Sequence, residues 1–169
     1  MSSEIRLTPT SYIVLGLLEA AGEATPYDLK QMVAASLGNF WSLQHAQLYT
    51  EPERLAAVGY LTERREESGR RRKHYRVTSR GRRALREWLA EPTDELTELR
   101  DAALLKVFFG ADPEPLATMQ VEAHRAKLAE YEEIMRQAGA DLPEGVRISL
   151  EAGIGAERAW VRFWSNLAG

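Results

Sequence analysis

Two Thr-Pro pairs fix where helices begin in the first thirty residues of this 169-residue chain. In Thr8-Pro9 and Thr25-Pro26 a hydroxyl residue able to cap a helix stands directly before a proline. The fixed φ and missing N–H of that proline are tolerated in the first helical turn. The run from Ser11 to Ala21 carries Ile13, Leu15, Leu17 and Leu18 around small Gly16, so it predicts a buried helix that Gly22 ends. After Thr25-Pro26, Asp28 falls where the helix dipole favours an acid, and Leu29, Met32, Val33 and Leu37 follow at helical spacing to a stop at Gly38-Asn39. A third helix is expected from about Ser42, with Leu48, Leu55 and Val58 facing inward and Gly59 closing it. Pro52 falls inside that helix, where it removes one hydrogen bond and crowds the Leu48 carbonyl, at about 3 kcal/mol in an ordinary setting. The sequence therefore predicts a bend or a split there.

Beyond Gly59 the period shortens. Tyr60 to Arg64 and Lys73 to Thr78 read as two short strands joined by a Ser-Gly loop, a β-hairpin whose tip holds Arg70, Arg71 and Arg72. Thr78 or Ser79 caps a fourth helix with Leu85, Trp88 and Leu89 on its inner face, and Pro92 ends it. Three helices, a hairpin and a helix, in that order, fit a winged helix-turn-helix, in which the third helix enters the major groove and the wing lies over the adjacent backbone.

The charge agrees with that order. Residues 62–86 hold eleven Lys and Arg against three acids, a balance of +8, while residues 1–61 carry −3 and residues 87–169 carry −8. A basic centre on a chain of net charge −3 points to a polyanion-binding element on a molecule that otherwise repels polyanions.

The second half is helical throughout. Glu91-Pro92-Thr93-Asp94 reads as a connector; Leu96, Leu99, Ala103, Leu104, Val107 and Phe108 form a helical stripe ending at Gly110. Asp112-Pro113 caps a long helix through about Gln137, and Leu142-Pro143 separates it from a last helix over about Glu144 to Leu167. The apolar stripe of that last helix is Ile154, Trp160, Phe163, Trp164 and Leu167, and Gly153 and Gly155 within it allow another helix to approach closely. Three such helices do not make a compact domain alone, and long amphipathic helices appended to a DNA-reading head pair with a second copy. The expected architecture is thus mainly α: a winged-helix DNA-binding domain over residues 1–91 and a helical dimerisation region over residues 92–169, which also offers an effector site.

Several function classes lose their footing. With no cysteine, disulfides and thiolate zinc sites are excluded. His45, His74 and His124 stand apart without metal-ligand or triad spacing, and there is neither a Gly-rich phosphate loop nor a Gly-x-Ser-x-Gly elbow, so no enzyme and no cofactor is expected. The N-terminus lacks a signal-peptide pattern and no apolar run approaches the ~20 residues that span a bilayer, so a cytoplasmic protein is expected, away from any membrane.

Over residues 12–89 the chain resembles the PadR family of bacterial winged-helix transcriptional regulators. The resemblance rests on SYIVLGLLEA, TPYDLKQMV, GNFWSLQHAQLY, ERLAAVGYL and RRKHYRVTSRGRRALREWL, which agree with the family in order and distance. It runs through Tyr27, Phe40-Trp41, Gln47-Leu48-Tyr49, Tyr75, Thr78 and Gly81. DAALLKVFF and LEAGIGAERAWVRFW are similar, more loosely, to the family's helical dimerisation region. The resemblance implies a homodimeric repressor of an inverted-repeat operator on double-stranded DNA, released by a small hydrophobic or phenolic effector. One departure is Pro52, where members carry an aliphatic residue.

The residue types indicate the contacts. Ser42, Gln44, His45, Gln47 and Thr50 are candidates for base contact, since an amide can bind adenine at two points and a hydroxyl serves either a base or a phosphate; Ser42 can equally be a helix cap. Tyr49 can touch phosphate or pack against the wing, and Tyr75 reads as structural. Arg70, Arg71, Arg72 and Lys73 are the phosphate-contact candidates, with Arg80, Arg82, Arg83 and Arg86 further away on the next helix. Trp160, Phe163 and Trp164 share one helical face and form either a dimer core or the walls of a pocket for an aromatic effector. The alternative function is a winged-helix protein-interaction module without operator binding.

Overall fold

The computed structural model describes residues 5–39, 41–68 and 71–168, and the chain divides into two compact units, Met1–Glu95 and Leu96–Gly169. Arg70 and Phe40 lie outside the described residues.

Both Thr-Pro pairs start helices where their chemistry says. Helix α1 (Pro9–Ala21) follows Thr8, whose backbone N–H donates to the Ser11 hydroxyl at 2.8 Å while the Ser11 N–H donates back to the Thr8 hydroxyl at 3.4 Å. Helix α2 (Pro26–Ala35) follows Thr25 with the same reciprocal bonds to Asp28, at 2.9 and 3.2 Å. The bonds from the Thr25 backbone and hydroxyl hold the Asp28 carboxyl below its usual pKa.

Helix α3 (Gln47–Ala57) starts five residues later than expected. The backbone enters it through a tight turn, in which the N–H groups of Gln47, Leu48 and Tyr49 donate to the carbonyls of Gln44, His45 and Ala46 at 2.9–3.1 Å. Ser42 therefore caps nothing: Ala46 occupies the cap position, and no side chain bonds there. Nor is the helix split. It runs on through Pro52, whose ring is buried beside Leu48 and Leu55. Gly59 closes it with φ of 81°, a conformation a side chain strongly disfavours.

Strands β1 (Leu61–Arg65) and β2 (Lys73–Val77) pair antiparallel, Leu61 opposite Val77 and Arg65 opposite Lys73. Ala24, between α1 and α2, exchanges two backbone hydrogen bonds with Tyr75 at 3.2 and 2.9 Å and fastens the hairpin to the helices. Thr78 caps helix α4 (Ser79–Ala90) by accepting from the Gly81 N–H at 3.1 Å. Only Gly81 and Leu85 of α4 are buried. Trp88 and Leu89, expected inside, are exposed, because one turn past Leu85 the core has ended and Trp88 instead covers Tyr12 in a parallel stack with centroids 4.5 Å apart. The core of this unit is Val14, Leu15, Leu18, Leu29, Leu48, Leu55, Tyr75 and Val77.

The second unit comprises α5 (Ala102–Phe108), α6 (Pro113–Ala138) and α7 (Glu144–Ser165). Asp101 and Asp112 cap the first two through N–H groups at 2.7–3.1 Å. The expected stripe from Leu96 is shorter than predicted: Leu96 and Leu99 precede the Asp101 cap, outside any helix, and are exposed, as is Phe108 at its far end. Ala103, Ala117, Val121 and Trp164 form the buried centre of this unit. At Gly153 of α7 a Cβ would stand 3.0 Å from the Tyr131 ring of α6, so the helices meet closely there; Gly155 has open space around it. Among the described residues no helix is long and apolar enough to cross a membrane.

Candidate nucleic-acid interface

The six candidates around the start of α3 are all exposed: Ser42, Gln44, His45, Gln47, Tyr49 and Thr50. Gln47, Tyr49 and Thr50 ride on the helix, while Ser42, Gln44 and His45 precede it in the turn. Leu48 anchors the set, fully buried in the middle of it. Two of the six have local partners: the Gln47 side-chain carbonyl accepts from the Gln44 N–H at 3.3 Å, and the Thr50 hydroxyl donates to the Ala46 carbonyl at 3.2 Å. The segment thus presents amides, hydroxyls and an imidazole to solvent from a fixed first turn, the groups that base edges and phosphates accept.

The wing looks different in space than in sequence, because carboxylates answer much of its positive charge. Arg72 Nε donates to both Glu66 oxygens at 3.1 and 3.3 Å, and His74 Nε2 lies 3.0 Å from the same carboxylate. The bonds from His74 and Arg72 pull the Glu66 pKa down to about 2. Lys73 bridges Glu53 of α3 and, at 3.6 Å, Glu63 of β1. Glu23 takes Arg64 at 2.5 Å and Arg76 at 3.5 Å, and Arg65 pairs with Glu63 at 2.9 Å. Arg71 stands exposed at the turn with φ of 49°, and Arg70 lies outside the described residues. Tyr75 is fully buried and its hydroxyl donates to Glu63 at 3.0 Å, a structural role; burial and the Glu63 charge push its pKa up.

On α4, Arg80 donates to the Val58 carbonyl at 2.9 Å and lies over the Tyr60 ring, so it ties α4 to the end of α3. Arg82 pairs with Glu19 at 3.0 Å. Sequence reasoning missed the acids that hold the wing. The available signal was the placing of Glu63 and Glu66 among bases; the register sets Glu63 opposite Tyr75 and Arg65 opposite Lys73, so Glu63 meets Lys73 on the diagonal and Arg65 two residues along its own strand.

In the second unit Trp160, Phe163 and Trp164 make one aromatic row, with edge-on contacts of 5.9 and 5.1 Å, and His124 stacks on Trp160 at 5.9 Å while bonding Glu157 at 2.6 Å. Trp164 is fully buried, Trp160 half-buried and Phe163 exposed. The Trp164 indole N–H is buried without a hydrogen-bond partner among the described residues. An open cleft of about 610 Å³ in the first unit, bordered by Leu7, Tyr12, Ala84, Trp88 and Glu91, contains none of the three. Among the described residues no group of three or more His, Asp or Glu could hold a metal ion.

Comparison with known proteins agrees with this geometry. The family model described as transcriptional regulator PadR-like matches residues 14–87, and one described as virulence activator alpha C-term matches residues 99–167. The negative transcriptional regulator PadR of Bacillus subtilis is 31% identical over 138 residues, 75% of each chain. This chain belongs to the PadR-like family. The crystal structure of Bacillus subtilis PadR in complex with operator DNA is similar over 97% of this chain and 98% of that one, with 26% identity and a TM-score of 0.84. The same PadR in complex with p-coumaric acid is similar over 96% and 97%, with 25% identity and a TM-score of 0.76. Like those relatives, the chain is a winged-helix transcriptional regulator and not an enzyme.

Proposed function

We propose that this PadR-like regulator is a homodimeric repressor in the cytoplasm, one that reads an inverted-repeat operator and is released by a small hydrophobic or aromatic effector. The observation that carries the reading is the exposed set from Ser42 to Thr50, built around buried Leu48 on a head similar to one crystallised on operator DNA. In this reading Ser42, Gln44, His45, Gln47 and Thr50 meet base edges, Tyr49 meets the sugar-phosphate edge, and Arg70, Arg71, Arg72 and Lys73 meet phosphates.

Dimerisation is supported by exposed apolar side chains on all three helices of the second unit, Leu105, Phe108, Met119, Val146 and Ile148, and by exposed Phe109 at the end of α5. The effector reading is supported by the unpartnered indole N–H of Trp164 beside Trp160 and Phe163, and by the relative crystallised with p-coumaric acid. A buried donor left unpaired costs about 1–3 kcal/mol, which an effector's acceptor oxygen would offset. Such an effector acts only if it prefers one arrangement of the heads over another.

One observation favours a second reading, a winged-helix interaction module without operator binding: Arg64, Arg65, Arg72, Lys73 and Arg76 already have carboxylate partners. Fluorescence anisotropy against DNA from upstream of the chain's own gene, beside a scrambled duplex and at several salt concentrations, separates the two. A repressor binds the native fragment tighter than the scrambled one, with an affinity that falls steeply with salt. An interaction module binds neither at low salt.

A further inference from the structure

We infer that Ser11, Glu51 and Arg54 set the angle at which α3 is presented and are positioning residues for operator reading. This rests on the proposal that α3 reads DNA.

Among the described residues Glu51 is the most deeply buried acidic or basic residue, 9% exposed. It lies on the inward stripe of α3 with Leu48, Pro52 and Leu55, so a carboxylate occupies a place where the helix otherwise buries apolar groups. Arg54 grips it with two bonds, Nε to Oε2 at 2.8 Å and Nη2 to Oε1 at 2.6 Å. The Ser11 hydroxyl of α1 donates to Glu51 Oε1 at 2.5 Å, and accepts from Arg54 Nη2 at 3.1 Å and from the Thr8 N–H at 2.8 Å. Its single proton and both lone pairs are then engaged, with the Thr8 hydroxyl 3.2 Å away as well, so a roll of α3 about its axis strains or breaks at least one of these bonds. Arg54 Nη1 adds a bond to the Arg6 carbonyl at 3.4 Å. Burial acts to raise the Glu51 pKa, but the bonds from Arg54 and Ser11 outweigh it and keep the group ionised.

The clamp sits where α3 needs it. Pro52 cannot donate the next ladder bond, so the turn after Gln47, Tyr49 and Thr50 has lost one of its own restraints. Apolar packing would hold α3 against α1 but would allow it to roll about its axis. Directional bonds to a charged group resist rolling, and base-edge contacts tolerate only a few tenths of an ångström. Buried ion pairs contribute little net stability, which leaves orientation as what this one supplies.

The test uses the full chain with its operator fragment and a scrambled duplex. In Ser11→Ala the Glu51–Arg54 pair survives, while the tie to α1 is lost together with the bond from the Thr8 N–H that helps to cap α1; in Arg54→Lys the charge and the α1 cap survive and the two-point grip is lost. Each variant is expected to weaken operator binding about tenfold, with scrambled-duplex affinity and salt slope unchanged, because no phosphate contact disappears. An equal fall on both duplexes with the salt slope reduced by about one would make Arg54 a phosphate contact and overturn the proposal. Unchanged operator affinity with a lowered Tm would also overturn it, reducing the clamp to a brace. If Arg54→Lys fails to fold, Ser11→Ala decides between these outcomes. A wild-type chain that does not distinguish the duplexes removes the DNA reading itself, and this role with it.

Discussion

Gly81 shows how much one residue can decide in this fold. A Cβ there would press into the Tyr60 carbonyl oxygen and stand 2.8 Å from Val77, so only glycine lets the first turn of α4 rest on the base of the hairpin. Gly81→Ala is expected to destabilise the first unit by about 1–3 kcal/mol, seen as a lower Tm. Gly153 has a milder version of the same constraint: the Tyr131 ring must yield to any Cβ, and Gly153→Ala should lower Tm less than Gly81→Ala does, since a ring can shift where a backbone cannot. At this scale the sequence was most legible where chemistry is local. Thr8, Thr25, Asp101 and Asp112 sit within three residues of the N–H groups they satisfy, and three of those four starts could be read from Thr-Pro or Asp-Pro alone. Glu51 was not legible, because its partner Ser11 lies forty residues away; its place on an apolar stripe was the only hint.

Among the elements, the wing behaves as an ion-pair lattice. With its pKa drawn to about 2 by His74 and Arg72, Glu66 contributes stability that is complete above the ordinary carboxylate range and is lost as pH falls from about 4.5 towards 2. Acid unfolding of Glu66→Gln should therefore lose part of its dependence on pH across that window; an unaltered acid limb would mean that the pairing adds nothing. The same substitution frees Arg72, and Glu53→Gln leaves Lys73 only its 3.6 Å contact with Glu63. If the wing meets phosphates, each should raise scrambled-duplex affinity and steepen the salt slope by about one, whereas Arg71→Ala should make it shallower by about one. Sequence reasoning placed the hairpin well, because alternation and turn residues are short-range signals, but it counted charges without their partners. For α3 the sequence reading starts five residues early, since it places the helix from about Ser42, a base-contact candidate that could equally be a cap, where the backbone makes a turn of its own.

For the whole molecule, two compact units with different surfaces imply two kinds of failure. Apolar Phe108 and Phe109 are exposed on the second unit, and a second copy is the proposed cover. Phe108→Asp is expected to shift the sedimentation profile from dimer to monomer and to make Tm independent of protein concentration, while the circular dichroism of both units is retained. Operator affinity should fall in parallel, because two half-sites are then no longer bound by one particle. The pairing of acids with bases on the head has a kinetic consequence as well. Opposite charges about 3 Å apart act as small dipoles, whose field fades within the Debye length of ~8 Å at physiological ionic strength. On a chain of net charge −3, this leaves little to draw the head towards DNA from a distance or to hold it on an unrelated stretch. If the head reads an operator as proposed, its encounter with DNA is then only weakly steered by charge, and its search relies more on repeated collision from solution than on sliding.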